Sequence, residues 1–79
     1  MYYIYILKSQ KHGKLYTGNT DNLKRRLIEH NNGSVKYTKA GRVWKLIWYC
    51  AFKDKNKAQA FEKYLKSSSG HAFRNKRFI

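Results

Sequence analysis

Residues Tyr2-Tyr3-Ile4-Tyr5-Ile6-Leu7-Lys8 are a nearly unbroken run of β-branched and aromatic side chains, which commits this stretch to a strand. The polar segment from Ser9 to Gly13 ends in glycine and turns the chain, and Lys14-Leu15-Tyr16-Thr17-Gly18 reads as the returning strand of a hairpin. In a chain of 79 residues this hairpin governs what can follow. There is room for one domain, and a domain of that size buries only about 60% of the surface its unfolded chain exposes. Any site must stand on the same few elements that build the core.

Beyond the hairpin, Thr20 or Asp21 is placed to cap a helix with a body from Asn22 to Asn31 and a stop at Asn32-Gly33. Ser34 to Val43 is polar and basic, expected as a loop with room for one helical turn. Trp44 to Phe52 is apolar without clean alternation, as expected of a strand covered on both faces. Asp54 or Asn56 can cap a second helix running to about Ser67 and closed by Gly70, followed by a tail from His71 to Ile79 that carries Arg74, Lys76 and Arg77. The order ββαβα predicts an α/β fold: a single compact domain over residues 1–79, with a three-stranded antiparallel sheet and helices packed on it. There is no internal repeat, low-complexity stretch or linker, and proline is absent.

The charge balance points to the partner. Eighteen Lys and Arg against four Asp and Glu leave a formal net charge of +14, an excess that works against the compact state and favours a polyanion, nucleic acid above all. The longest apolar run, Leu46 to Phe52, is too short to span a bilayer, and no charged segment leads into an apolar one. No membrane partner and a cytoplasmic location are therefore expected. The single Cys50 lies inside that run and reads as a buried small hydrophobe. With His12, His30 and His71 it makes no zinc spacing.

Carboxylates are scarce enough to limit the chemistry. Asp21 and Asp54 stand at helix-cap positions, and Glu29 follows Arg25 by four residues, an ordinary exposed pair. That leaves Glu62. A two-metal nuclease needs several clustered carboxylates, which this chain does not offer, whereas one Mg²⁺ can be held by a single carboxylate, waters and substrate phosphate. On the second helix Ala58, Phe61 and Leu65 make the buried stripe, and Glu62 falls at its edge, where a side chain can look into a cleft. The plain alternative is a surface ion pair with Lys66.

The first helix repeats this geometry. Leu23 and Leu27, with Ile28, are the expected buried stripe, and Arg26 and His30, four apart, share the side next to it. A guanidinium there can stabilise charge on phosphate oxygens and an imidazole can relay a proton. The consecutive Lys24, Arg25 and Arg26 fit equally well a basic face touching backbone phosphates. Tyr5 and Tyr16 are expected opposite one another on the hairpin, and a phenol beside a cation and an arginine would ionise more readily than its ordinary pKa of about 10 implies. Seven tyrosines and two tryptophans also suit core packing or base stacking.

Tyr3-Ile4-Tyr5, Tyr16-Thr17-Gly18, Asn22-Leu23-Lys24-Arg25-Arg26-Leu27 with His30-Asn31, and a later helical Glu62 occur in an order that resembles the GIY-YIG nuclease family. The likeness is to its small stand-alone bacterial members. Their opening is similar to residues 2 to 9, and their helix Phe-Glu-Lys-Tyr-Leu-Lys-Ser is similar to residues 61 to 67. The resemblance implies hydrolysis of DNA phosphodiesters with one divalent ion, Mg²⁺ or Mn²⁺, structure-selective or weakly specific, in DNA repair or processing. It implies Tyr5 as the base that activates water and Tyr16 as its positioning partner. Arg26 matches the transition-state arginine, His30 the histidine one turn on, Glu62 the metal ligand and Asn75 the late asparagine that completes the site. Tyr3 stands where the first motif has glycine, and Thr17 where the second has isoleucine; neither removes a group that does chemistry. The rival is a basic, tyrosine-rich module that grips nucleic acid without cutting it; a ribosome-associated structural role explains none of the ordered set.

Overall fold

The hairpin forms the middle of the molecule. In the computed structural model, which describes residues 1–67 together with Gly70 and Lys76, β1 (Tyr2–Ser9) pairs antiparallel with β2 (Leu15–Thr20) on one side and with β3 (Trp44–Phe52) on the other. The strand order β2-β1-β3 makes β1 the central strand, with neighbours on both edges. Its alternating side chains then feed two cores. Ile4 and Ile6 point to one face and pack with Ala58 and Leu65 of α2 (Lys55–Lys66). Tyr5 and Leu7 point to the other and pack with Trp44 and with Leu23 and Leu27 of α1 (Leu23–Asn32). The result is the expected ββαβα domain, with one helix on each face of the sheet.

Local chemistry sets the ends of the helices. Asn22, rather than Thr20 or Asp21, caps α1, its side chain accepting from the Arg25 amide at 3.0 Å. Thr20 sits one step back, its hydroxyl accepting from the Asn22 amide. Gly33 ends α1 in the left-handed region at φ 84°, returning its amide to Glu29. Asp54 caps α2 through the Asn56 and Lys57 amides. Ser67, not Gly70, is the C-cap of α2; Gly70 is buried where a side chain would collide with the Tyr64 carbonyl. Between α1 and β3 the expected loop contains a 3₁₀ helix, Lys36–Gly41.

Two expectations about packing fail for reasons visible in the sheet. The second half of β3 is covered on one face only, since Tyr49 (52%) and Ala51 are exposed. Its lack of alternation comes from a bulge: Ile6 pairs with Trp48 and Leu7 with Leu46, so Ile47 is inserted between. Trp44 and Leu46 accordingly face α1, while Trp48, Cys50 and Phe52 face α2. On α1, Ile28 is 56% exposed, and the inward stripe is Leu23, Leu27 and a fully buried His30. Cys50 is half-buried against the α2-side core, and burial pushes its thiol up.

Candidate functional site

Tyr5 occupies the central strand and is 2% exposed. Its partner across the hairpin is Gly18, while Tyr16 faces Leu7. The two phenols therefore sit diagonally rather than opposite, with ring centroids 6.3 Å apart. Tyr16 also lies edge-on to His30 at 5.0 Å, so strand and helix present their rings to one another.

His30 is the hinge of this cluster. Its Nε2 is 2.8 Å from the Tyr5 hydroxyl and its Nδ1 is 2.7 Å from Thr38 Oγ1. Thr38, 1% exposed, donates its own hydroxyl proton to the Val35 carbonyl. With the Thr38 proton turned to Val35, Nδ1–H donates to Thr38 and Nε2 accepts from the Tyr5 O–H. The 3₁₀ helix that carries Thr38 is pinned by Trp44 Nε1–H, which donates to the Thr38 carbonyl, and by the buried Ser9 hydroxyl, which donates to Gly41. Asn31 exchanges two hydrogen bonds with the Trp44 backbone and so fastens α1 to the start of β3.

Burial decides the protonation of both groups. It pushes Tyr5 up to about 12, outweighing the nearby Arg26 guanidinium that pulls it down, so among the chain's own groups the phenol ionises less readily than the sequence suggests. Burial, with help from the Arg26 charge, pulls His30 down to about 4. Unfolding releases His30 to its ordinary value of about 6.5. As pH falls below that value the unfolded chain takes up the proton first, so stability is complete above about 6.5 and is lost down to about 4, by up to ~3 kcal/mol. Urea midpoints at about pH 7 and about pH 4.5 should show this loss for the native chain, and a His30→Gln variant, lacking the titration, should show much less of it.

Arg26 is one-third exposed and binds Glu29 at 3.0 Å, which raises its proton affinity, while its guanidinium also acts on Tyr5. Arg25 turns outward to Asp21 at 3.1 Å, and its approach to Glu29 is only 4.0 Å. Glu29 is thus chiefly the partner of Arg26, not of Arg25. Glu62 reaches the cluster from α2. Its side chain is 15% exposed, one oxygen meets the Asn19 amide on β2, and the other meets Lys66 Nζ at 2.8 Å. Its charge is felt at Tyr5. Asn19, Arg26, Glu29 and Lys55 line an open cleft of about 320 Å³ at this end of the sheet. Asn75 lies outside the described residues. Among the described residues no three His, Cys, Asp or Glu side chains cluster.

Gly18 leaves the space that Tyr5 fills. A Cβ there would lie 2.5 Å from the Tyr5 hydroxyl oxygen and 3.0 Å from the Tyr16 ring. The phenol is held by His30 and cannot swing aside cheaply. Gly18→Ala should cost about 1–3 kcal/mol of stability and break the Tyr5–His30 bond. The same substitution in a Tyr5→Leu background should cost markedly less; urea unfolding of the four proteins measures this coupling.

The GIY-YIG catalytic domain matches residues 1–77. This chain belongs to the GIY-YIG family. Its relatives include a UPF0213 protein of Clostridium perfringens, 46% identical over 67 residues that cover 84% of this chain and 71% of the relative. One from Staphylococcus saprophyticus is 42% identical, covering 86% of this chain and 83% of the relative, and one from Streptococcus agalactiae is 41% identical, covering 89% and 80%. No solved structure matches the chain. GIY-YIG domains are nucleases, in general dependent on divalent metal, and their substrate is nucleic acid. In this member the two motif departures are accommodated by packing: Tyr3 lies edge-on to Tyr49 at 6.2 Å, and Thr17 is buried opposite Ile6. No helix among the described residues is long and apolar enough to cross a membrane. Thr38, Asn31 and Asn19 are the site's contributors that sequence reasoning missed. Of these only Asn31 carried a signal, next to His30 in the family pattern.

Proposed function

We propose that this GIY-YIG domain is a DNA endonuclease that hydrolyses phosphodiesters with one divalent cation, Mg²⁺ or Mn²⁺, acting in DNA repair or processing in the cytoplasm with structural rather than strict sequence selectivity. The observation that carries the reading is a buried Tyr5 hydroxyl aimed at His30 Nε2, with Arg26 beside it and the Glu62 carboxylate within electrostatic reach. A pure binding surface has no use for a buried phenol bonded to a neutral imidazole.

The residues present fit a hard cation. Glu62 offers a carboxylate, the neighbouring Asn19 an amide, and both supply the oxygen donors Mg²⁺ prefers. Lys66 is 51% exposed and free to turn into solvent when Glu62 takes a stronger partner. Once bound, the ion supplies Lewis-acid polarisation of the phosphate and favours deprotonation of groups close to it. The chain's own part is proton handling and charge. Tyr5 Oη accepts the proton of an attacking water while its own passes to His30 Nε2, and Thr38 keeps that nitrogen's lone pair pointed at the phenol. Arg26 supports the charge that develops on the phosphate oxygens, held in place by Glu29. Tyr16 packs on His30 and limits its motion.

The Glu62–Lys66 pair is also what an ordinary surface ion pair looks like, and it favours the binding-module alternative. Incubation with labelled linear and branched DNAs separates the two. The nuclease reading requires cleavage with Mg²⁺ or Mn²⁺ and none with chelator; salt-sensitive binding without cleavage under any condition leaves only the binding module.

A further inference from the structure

The 3₁₀ helix that turns Thr38 inward to His30 turns its other side chains outward. Tyr37 is 86% exposed, and its ring stands 5.9 Å from that of Tyr16. On the same short helix, Lys36 and Lys39 join Lys11 and Arg42 in lining an open cleft of about 490 Å³. Among the described residues no acidic side chain lines this cleft. The four carboxylate side chains are engaged elsewhere: Asp21 with Arg25, Glu29 with Arg26, Glu62 with Lys66, and Asp54 capping α2. Among the described residues none of the four cleft cations is ion-paired.

Four unpaired cations around one cleft repel one another and are relieved by a string of phosphates. An aromatic ring left in water beside them adds a surface whose natural partner is another flat ring. In an intact duplex the base faces are already stacked and hidden, so such a ring finds a base only where the stack is broken. We propose that this shelf holds an unpaired DNA strand leading into the Tyr5 site, with a base stacked on Tyr37 and the strand's phosphates running along Lys36, Lys39, Lys11 and Arg42. This rests on the nuclease reading above and names its substrate class: DNA in which duplex gives way to single strand at the scissile position. Tyr37 and Thr38 are consecutive, so the stacking ring and the anchor of His30 belong to one turn, and the Tyr37 ring meets that of Tyr16.

The test compares two labelled probes, a thymidylate strand of about twelve nucleotides and a duplex of the same length, by fluorescence anisotropy in chelator with the intact chain, Tyr37→Ala and Tyr37→Phe. Tyr37→Ala should weaken the single strand by roughly 5- to 100-fold, the loss expected for one base–aromatic stack, and leave the duplex nearly unchanged. Tyr37→Phe should restore single-strand binding. Equal weakening of both probes, or of neither, overturns the shelf. A parallel cleavage assay on fully paired and splayed DNAs keeps the two ideas apart. Cleavage of both at equal rates, indifferent to Tyr37→Ala, overturns the shelf while the nuclease reading stands. Tyr37-dependent binding of the single strand with no cleavage of any DNA leaves the shelf standing and removes the nuclease.

Discussion

Glu62→Gln should lower metal-dependent cleavage by on the order of 1,000-fold or more, with the fold and DNA affinity retained. The substitution is isosteric, so the amide that replaces the carboxylate can still accept from Asn19, and α2 keeps its buried stripe of Ala58 and Leu65. What is lost is, among the described residues, the only carboxylate near Tyr5 that is not already committed to an arginine or a helix cap. The broken pair with Lys66 is half-exposed and costs at most ~1 kcal/mol. Removal of a negative charge near the phosphate should leave affinity equal or slightly tighter. Single-turnover cleavage across a Mg²⁺ titration and anisotropy in chelator measure the two quantities separately. The control is Lys66→Ala: if the Glu62–Lys66 pair is only a surface pair, both variants behave alike and cleavage persists. Full activity in Glu62→Gln with metal present would end the one-metal hypothesis.

The features legible in the sequence are those encoded locally. The hairpin follows from a strand-forming run, a turn and a second run. The stop of α1 follows from Gly33, and the start of α2 from Asp54, whose short side chain reaches its own helix amides. The family pattern brought Tyr5, Tyr16, Arg26 and His30 to one face of the sheet, and α1 delivers two of them because they lie one turn apart. Register was not legible: a five-residue connection does not say whether Tyr16 or Gly18 faces Tyr5, and the structure chooses Gly18 because only glycine leaves room for the phenol. Hydropathy alone places Ile28 inside and His30 at the edge. The structure reverses them because Tyr5 and Thr38 satisfy both ring nitrogens, which removes the penalty of burying an imidazole. The bulge at Ile47 left no sequence mark except a missing alternation. Thr38 and Asn19 were invisible for a common reason, since a polar residue whose partner lies on another element has no period to betray it.

Arg26→Ala should lower kcat by at least ~100-fold, the usual consequence of losing one preorganised donor to developing charge, whereas Arg25→Ala should cost only a modest, salt-dependent share of binding. The two residues are adjacent and alike in charge, but a helix turns by about 100° between them, and their partners differ accordingly. Arg25, 59% exposed, is taken up by Asp21 at the helix start, while Arg26 is held at 3.0 Å by Glu29 and acts on the Tyr5 hydroxyl. Arg26→Lys should recover little of the rate, since an ammonium cannot bind Glu29 and serve a phosphate with one planar fork. Because Glu29 holds the guanidinium from the far side, Glu29→Gln should loosen Arg26 without removing it. The expected result is a smaller fall in kcat, on the order of 10-fold, with binding unchanged or tighter. A stabilising role alone would lower the unfolding midpoint of Glu29→Gln and leave its kcat intact, so urea unfolding is measured beside cleavage. If Arg25→Ala and Arg26→Ala give equal and small losses, all of them in affinity, α1 is a basic face and the chain binds nucleic acid without cutting it.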